Sequence, residues 1–347
     1  MKPVGFRAGP VLKSGRGQGR VFEFLMKISF FKFSITFLAW SLMQMVCSRG
    51  AVSLRVGGFS EVRSGNISIG EGAYFDEARA FLQTNYNVVF TNLDVLTDTN
   101  LAGVKLLILA PGTSHASGAT PLSTNEQSAM VNYVLGGGGL LILSDNYSYA
   151  GTAVAEEQAL LSPFGVSGTG TIGGGSTATF LVPGGEPLSG GIFGTVSSYS
   201  ENFPGGITNT GPYATALASN ALGVALAVIP RGALGPQSGP VAIFSDGNLW
   251  SDEGDGAGFF LSNETLFLNT VRWLTSITPM ANLSASRVGT NSVKVQWPNT
   301  GIFKLLQRTN LAAGNWTTNA NAITAANGTN SITIAPGSPA MFFRLMQ

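Results

Sequence analysis

Between Ser123 and Ser148 the chain has few ways to fold. Ser123 and Glu126 stand at capping-box spacing, and Met130, Val131, Val134 and Leu135 put an apolar stripe on the helix that follows. Gly136 to Gly139 end it, because glycine leaves a helix through left-handed conformations without steric cost. Leu140 to Leu143 is an unbroken apolar run, as expected of a parallel strand covered on both faces. Helix, tight turn and buried strand in that order predict an α/β layer. Chemistry in such sheets sits just past the carboxyl ends of the strands, so Ser144 to Ser148 is where a nucleophile would stand. No cysteine is there.

The preceding segment follows the same pattern. Tyr74, Ala78, Phe81 and Leu82 recur at helical spacing within 74–85, Val88 to Phe90 is a short strand, residues 93–102 form a linker, and Val104 to Ala110 is a second apolar strand. With LAGVKLLILAPG, GGGGLLILSDN and the closing NETLFLNTVRWL, the stretch from Val52 to Ser276 resembles the class I glutamine amidotransferase-like fold, in a divergent bacterial branch. The resemblance implies an α/β, flavodoxin-like sheet, mostly parallel and flanked by helices. It also implies a cysteine on a strained turn after the central strand, with His and Glu near the end of the last core strand. The matching positions, Ser144 to Tyr147 and Asp246 to Asn248, supply neither Cys nor His. Glutaminase chemistry, which begins with thiolate attack, is therefore expected to be absent.

Charge along the chain bears on compartment. Lys27 and Lys32 precede an apolar segment from Phe33 to Val46 and then Ser48, Arg49 and Gly50, the pattern of a signal peptide that begins at Met26 and is cleaved near residue 50. Residues 1–25 read either as an unusually long basic n-region or, the reading preferred, as translated sequence upstream of the true start. The apolar segment is shorter than the roughly 20 residues of a spanning helix, so no stable membrane span is expected after cleavage. The expected location is secreted, periplasmic or at the cell envelope. Eight of the 19 basic and one of the 18 acidic residues lie in 1–50, leaving 11 against 17 and a mature charge of about −6. That balance, without a basic run, predicts no nucleic-acid partner. Cys47, the only cysteine, falls in the leader, so no disulfide or thiol chemistry is expected in the mature chain.

Beyond Ser148 the spacing predicts a helix over Thr152 to Leu161, then a Gly/Ser/Thr-rich, β-rich insertion over 166–211 with one alternating strand at Thr177 to Val182. Strands follow at Ala214 to Leu217, Val224 to Ile229 and Val241 to Phe244. A helix capped by Ser262 or Asn263 carries Leu266, Phe267, Val271 and Leu274 on one face and closes the domain, taken as 51–278. Residues 279–347 alternate strictly in short strands between Asn/Gly/Pro turns, which predicts a small all-β sandwich. VKVQWPNTGIFKLLQRTNLAAGNWTT and FFRL resemble the fibronectin-like accessory modules of secreted Verrucomicrobia and Planctomycetes proteins.

Candidate chemistry gathers at the predicted strand ends. Asp145, Asn146 and Tyr147 follow one strand; Asp246, Asn248 and Trp250 follow another. Carboxylates with nearby aromatic rings suit a polar ligand such as a carbohydrate, the rings stacking on an apolar sugar face. Asp246, Asp252 and Asp255, with Glu253, could instead offer hard oxygen ligands to Ca²⁺ from a glycine-containing loop, although the spacing is not that of an EF-hand. No other cofactor is indicated. A third arrangement takes Ser114 or Ser148 as nucleophile with His115, the sole histidine, as base, in a hydrolase.

Overall fold

Apolar runs and helical stripes alternate from Leu54 onward, and the computed structural model assembles them into a sheet with helices on both faces. It describes residues 26–29, 53–110, 120–147, 152–171, 173–174, 176–185, 187–247, 249–252, 262–277, 283–288, 292–298, 303–309, 315–326, 329–335 and 340–346. The chain divides into two units, Met45–Met280 on one hand and Met1–Gln44 with Ala281–Gln347 on the other. The leader's apolar segment, Phe33 to Val46, and Cys47 lie outside the described residues.

The strand β1 (Met26–Ser29) belongs to the second unit. The first unit carries, in chain order, β2 (Leu54–Phe59), α1 (Glu61–Ser64), α2 (Asp76–Asn85), β3 (Val88–Leu93), β4 (Leu106–Leu109), α3 (Thr124–Leu135), β5 (Gly139–Leu143) and α4 (Ala153–Leu161). It continues with β6 (Ser167–Thr169), β7 (Ser176–Phe180), β8 (Ser198–Glu201), β9 (Gly206–Asn209), β10 (Thr215–Asn220), β11 (Gly223–Ile229), β12 (Val241–Phe244) and α5 (Ser262–Thr275). Five strands, in the spatial order β3-β2-β4-β5-β12, run parallel. Numbered among themselves they read 2-1-3-4-5, the flavodoxin-like order. Past β12 the sheet continues antiparallel through β11, β10, β7 and β8, with β9 pairing both β11 and β6. The segment 166–211 thus contributes four strands to the same sheet.

Alternation along the central strands explains the layering. Leu141 and Leu143 of β5 pack in one core with Leu82 of α2 and Leu266, Phe267 and Val271 of α5, while Leu140 and Ile142 pack in the other with Met130 and Val134 of α3 and Leu160 of α4. Each large apolar side chain so enclosed contributes about 1.5–3 kcal/mol. Both halves of the capping box are made: Glu126 N donates to Ser123 Oγ at 3.4 Å and Ser123 N to Glu126 Oε2 at 3.0 Å. Of the four glycines after α3 only Gly137, at φ 98°, takes the left-handed exit.

The second unit contains β13 (Ser284–Val288), β14 (Ser292–Pro298), β15 (Lys304–Arg308), β16 (Thr317–Thr318), β17 (Thr324–Ala326), β18 (Thr329–Ile334) and β19 (Ala340–Met346). They form two antiparallel sheets, β13-β14-β18-β17 and β1-β19-β15-β16. Val293, Val295, Trp297, Ile332 and Ile334 from the first share a core with Phe303, Leu305, Phe343 and Leu345 around the second. Met26–Ser29, inside the segment read as a signal peptide, pairs with Ala340 to Phe343 of β19. Among the described residues no helix is long and apolar enough to cross a membrane.

Candidate functional site

β5 and β12 lie side by side with Leu143 opposite Phe244, so the residues that follow them emerge together. Ser144 Oγ donates to Glu157 Oε2 at 2.7 Å and Asp145 N to Glu157 Oε1 at 2.8 Å, so α4 places a buried carboxylate against the turn. Asp145 Oδ1 accepts from Asn146 N at 2.7 Å and from Asn146 Nδ2 at 2.8 Å. Asn146 Nδ2 also reaches the Phe203 carbonyl, at 2.8 Å. From the other strand end, Asp246 Oδ2 accepts from Asn202 N and the Ser245 carbonyl from Gly205 N, each at 2.7 Å. The segment 202–205 is therefore tied across both strand ends.

Two glycines permit this closeness. A Cβ at Gly205 would stand 2.8 Å from the Asp145 carbonyl oxygen, and one at Gly247 would stand 2.8 Å from Asp145 Oδ2. Within the segment, Phe203 is held at φ 51° and is 44% exposed. A bulky residue in that conformation is strained, and such strain persists only where the surroundings impose it.

Of the residues nominated by sequence, Asp145, Asn146 and Asp246 meet at this edge, all buried. Tyr147 is half-buried beside them, its ring against Gly170, where a Cβ would come within 2.6 Å of it. Trp250, expected on the rim, is enclosed in the core: its ring lies 5.0 Å from Phe244 and 4.9 Å from Phe267, and its indole N–H donates to the Asn263 carbonyl at 3.1 Å. Asp252 caps the start of α2, both its carboxylate oxygens accepting from Asp76 N at 3.1 Å. Among the described residues no group of three or more His, Cys, Asp or Glu is placed to hold a metal. Ser114, His115, Ser148, Asn248, Glu253 and Asp255 lie outside the described residues.

No protein-family model and no curated protein sequence matches the chain. Among solved structures it is similar to the mmIFT52 N-terminal domain, at 15% identity and a TM-score of 0.46 over 65% of this chain and 97% of that one. It is similar to a ThuA-like protein from Bacteroides uniformis, at 14% identity and a TM-score of 0.40 over 65% and 91%. A glutamine amidotransferase from Methylobacillus flagellatus stands at 12% identity and a TM-score of 0.38 over 66% and 97%. Amidotransferase and ThuA-like folds are thus among its structural neighbours, at low identity.

Burial governs the electrostatics of the edge. Burial raises the Asp145 carboxyl well above the usual carboxylate range and the Glu157 charge adds to the rise, against the two bonds from Asn146. Glu201 is raised by burial too, although Asn220, Ser176 and Ser245 all donate to it. The Tyr199 hydroxyl, buried and without a partner among the described residues, is pushed up by burial and then by Glu201 and Asp246. A carboxyl held neutral can donate a hydrogen bond to a hydroxyl or carbonyl but is a poor base. Ser144, bound to Glu157 and 3% exposed, is not presented to solvent as a nucleophile.

A second polar cluster, with no motif to announce it, stands where the strand order reverses between β2 and β4. Arg63 of α1 donates to Glu126, to the Asp94 carbonyl at 3.0 Å and to the Thr120 carbonyl at 3.1 Å, with its guanidinium 4.5 Å above the Phe59 ring. Burial would raise the Glu126 carboxyl, but the bonds from Arg63, Ser123 and Leu96 and the Arg63 charge bring it down to about 2. The sequence signal here was half of a capping box. The partner, 63 residues away in the chain, left no local trace.

Proposed function

We propose that the chain is an exported, non-catalytic ligand-binding protein of the envelope or exterior, in which a degenerate amidotransferase-like domain recognises a polar ligand, a carbohydrate foremost, at the β5/β12 edge. The observation that carries this reading is the commitment of Ser144: where an amidotransferase would present its thiol, a buried hydroxyl is bound to a buried Glu157. Over the buried polar groups of Asp145, Asn146 and Asp246 lie the partly exposed rings of Tyr147 and Phe203, which suit the apolar faces of sugar rings. The C-terminal sheets serve in this reading as an accessory module of fibronectin-like type.

Thermal unfolding against cello-, chito- and malto-oligosaccharides, with calcium and EDTA as separate arms, tests the proposal. At least one oligosaccharide should raise the midpoint as mass action requires, and Tyr147→Ala combined with Phe203→Ala should remove the rise. A midpoint indifferent to every sugar, or ammonia released from glutamine above a heat-killed control, would overturn it.

A further inference from the structure

A cleft of about 410 Å³ opens at the end of the sheet opposite the carboxyl edge, where the chain enters β4 and β5. Leu101 and Val104, both in the core shared with α3, form its floor. Three polar side chains stand around them: Asp98 from the turn that leads toward β4, Lys105 just before that strand, and Asn132 on the last turn of α3. Lys105 shares the strand face of Leu107, which packs under α3, so by alternation its side chain leaves the sheet on the side of the cleft. All three are exposed. Among the described residues none of these side chains has a hydrogen-bond or ion-pair partner, and Asp98 and Lys105 do not pair with each other.

The rest of the wall is already committed. The N–H groups of Gly136, Gly137 and Gly138 donate to the carbonyls of Asn132, Val134 and Tyr133 at 2.8, 2.9 and 3.0 Å, so this glycine run offers no nest of donors to a phosphate. The Tyr133 hydroxyl donates to the Gly139 carbonyl at 3.0 Å, and a Cβ at Gly138 would come within 2.2 Å of the ring. That ring is therefore no free platform for stacking a sugar or a base. The cleft presents one carboxylate, one ammonium and one amide over an aliphatic floor, at the carbonyl end of a helix, whose dipole favours a cation.

We infer that this cleft binds a small zwitterion with an aliphatic body, a free amino acid or a dipeptide. The ligand's ammonium meets Asp98, its carboxylate meets Lys105 and the Asn132 amide, and its aliphatic side chain covers Leu101 and Val104. Opposite charges that share a cleft without pairing select such a ligand: a molecule of one sign is attracted by one group and opposed by the other, whereas a zwitterion satisfies both. The volume suits the lower end of small-molecule sites, which span roughly 300–1,000 Å³. This site is separate from the β5/β12 edge and does not depend on the reading given for it.

The test is isothermal titration of the full chain with leucine and with leucyl-leucine, beside isocaproate, which keeps only the carboxylate, and isoamylamine, which keeps only the ammonium. Glucose and inorganic phosphate complete the set. At least one zwitterion should bind with a dissociation constant of about 1 mM or tighter, about tenfold better than either single-charge analogue. The tighter of the two zwitterions distinguishes a free amino acid from a peptide as the source. Asp98→Asn should bring leucine down to the level of isocaproate, and Lys105→Gln should bring it down to that of isoamylamine. Both side chains are exposed, and the analogue series on the parent chain decides by itself if either variant fails to fold. No zwitterion bound in the millimolar range, analogues bound equally well, or an advantage that survives Asp98→Asn would overturn the inference. Glucose or phosphate bound more tightly than either zwitterion would overturn the class of ligand.

Discussion

Asp145 keeps its carboxyl in a place where a charge is expensive, and the cost should appear in the pH dependence of stability. Its folded value is raised above the unfolded one near 4, so the associated stability is complete below about pH 4 and is lost as pH rises toward the folded value. Asp145→Asn has no such proton to lose. Urea unfolding should therefore show the variant gaining on the parent by roughly 1 kcal/mol per pH unit through that window. Glu126 behaves oppositely: lowered to about 2, its contribution is present above the unfolded value and disappears as pH falls. Glu126→Gln should lose the acid-side dependence and, with the charge opposite Arg63 gone while Gln still completes the capping box, about 1–3 kcal/mol near neutrality. Phe203 offers a third test at this scale. Its φ of 51° suits glycine, and the residue is 44% exposed, so Phe203→Gly should leave stability unchanged or raise it by up to about 1 kcal/mol. A loss beyond about 2 kcal/mol would mean that the ring packs more firmly than its exposure indicates.

Among the elements, close approach between segments governs tolerance. Gly205 faces backbone of the turn after β5 and cannot accept a methyl without displacing it, so Gly205→Ala should destabilise by about 1–3 kcal/mol. Gly174, with nothing within 4 Å of a would-be Cβ, should accept alanine within about 0.5 kcal/mol, and chemical denaturation of the two variants side by side reads the contrast. The long, periodic elements were legible from residues alone. The capping box at Ser123, the apolar run ending at Leu143 and the stripe of Leu266, Phe267, Val271 and Leu274 each appear where the sequence predicts. Short Gly/Ser/Thr strands such as β6, β8 and β9 were not legible, because they owe their existence to neighbours in the sheet rather than to their own propensity. The convergence of Asp145 with Asp246 follows from strand order once the parallel core is recognised. Trp250 did not follow, since its position after a strand end says nothing of Phe267 in α5 lying against it. Arg63 and Glu126 meet by topology alone, from segments that share no periodicity.

For the molecule as a whole, export is the expectation with the most direct check: N-terminal sequencing of protein recovered from the periplasm or medium should begin near Ala51. Intact Met1 or Met26 on soluble cytoplasmic protein would refute it. Such processing would also detach β1, which lies entirely upstream of that point and borders β19 along Ala340 to Phe343. The C-terminal sheet would then lose its outermost strand and present a row of bare backbone donors and acceptors, a template that another strand can extend. Amide exchange at 340–343 should be slow in the full chain and fast in a chain starting at Ala51; equal rates would show that β1 lends that border nothing. In the precursor the leader would act as a removable stopper on an adhesive seam, and the cut that releases the protein would also unseal it.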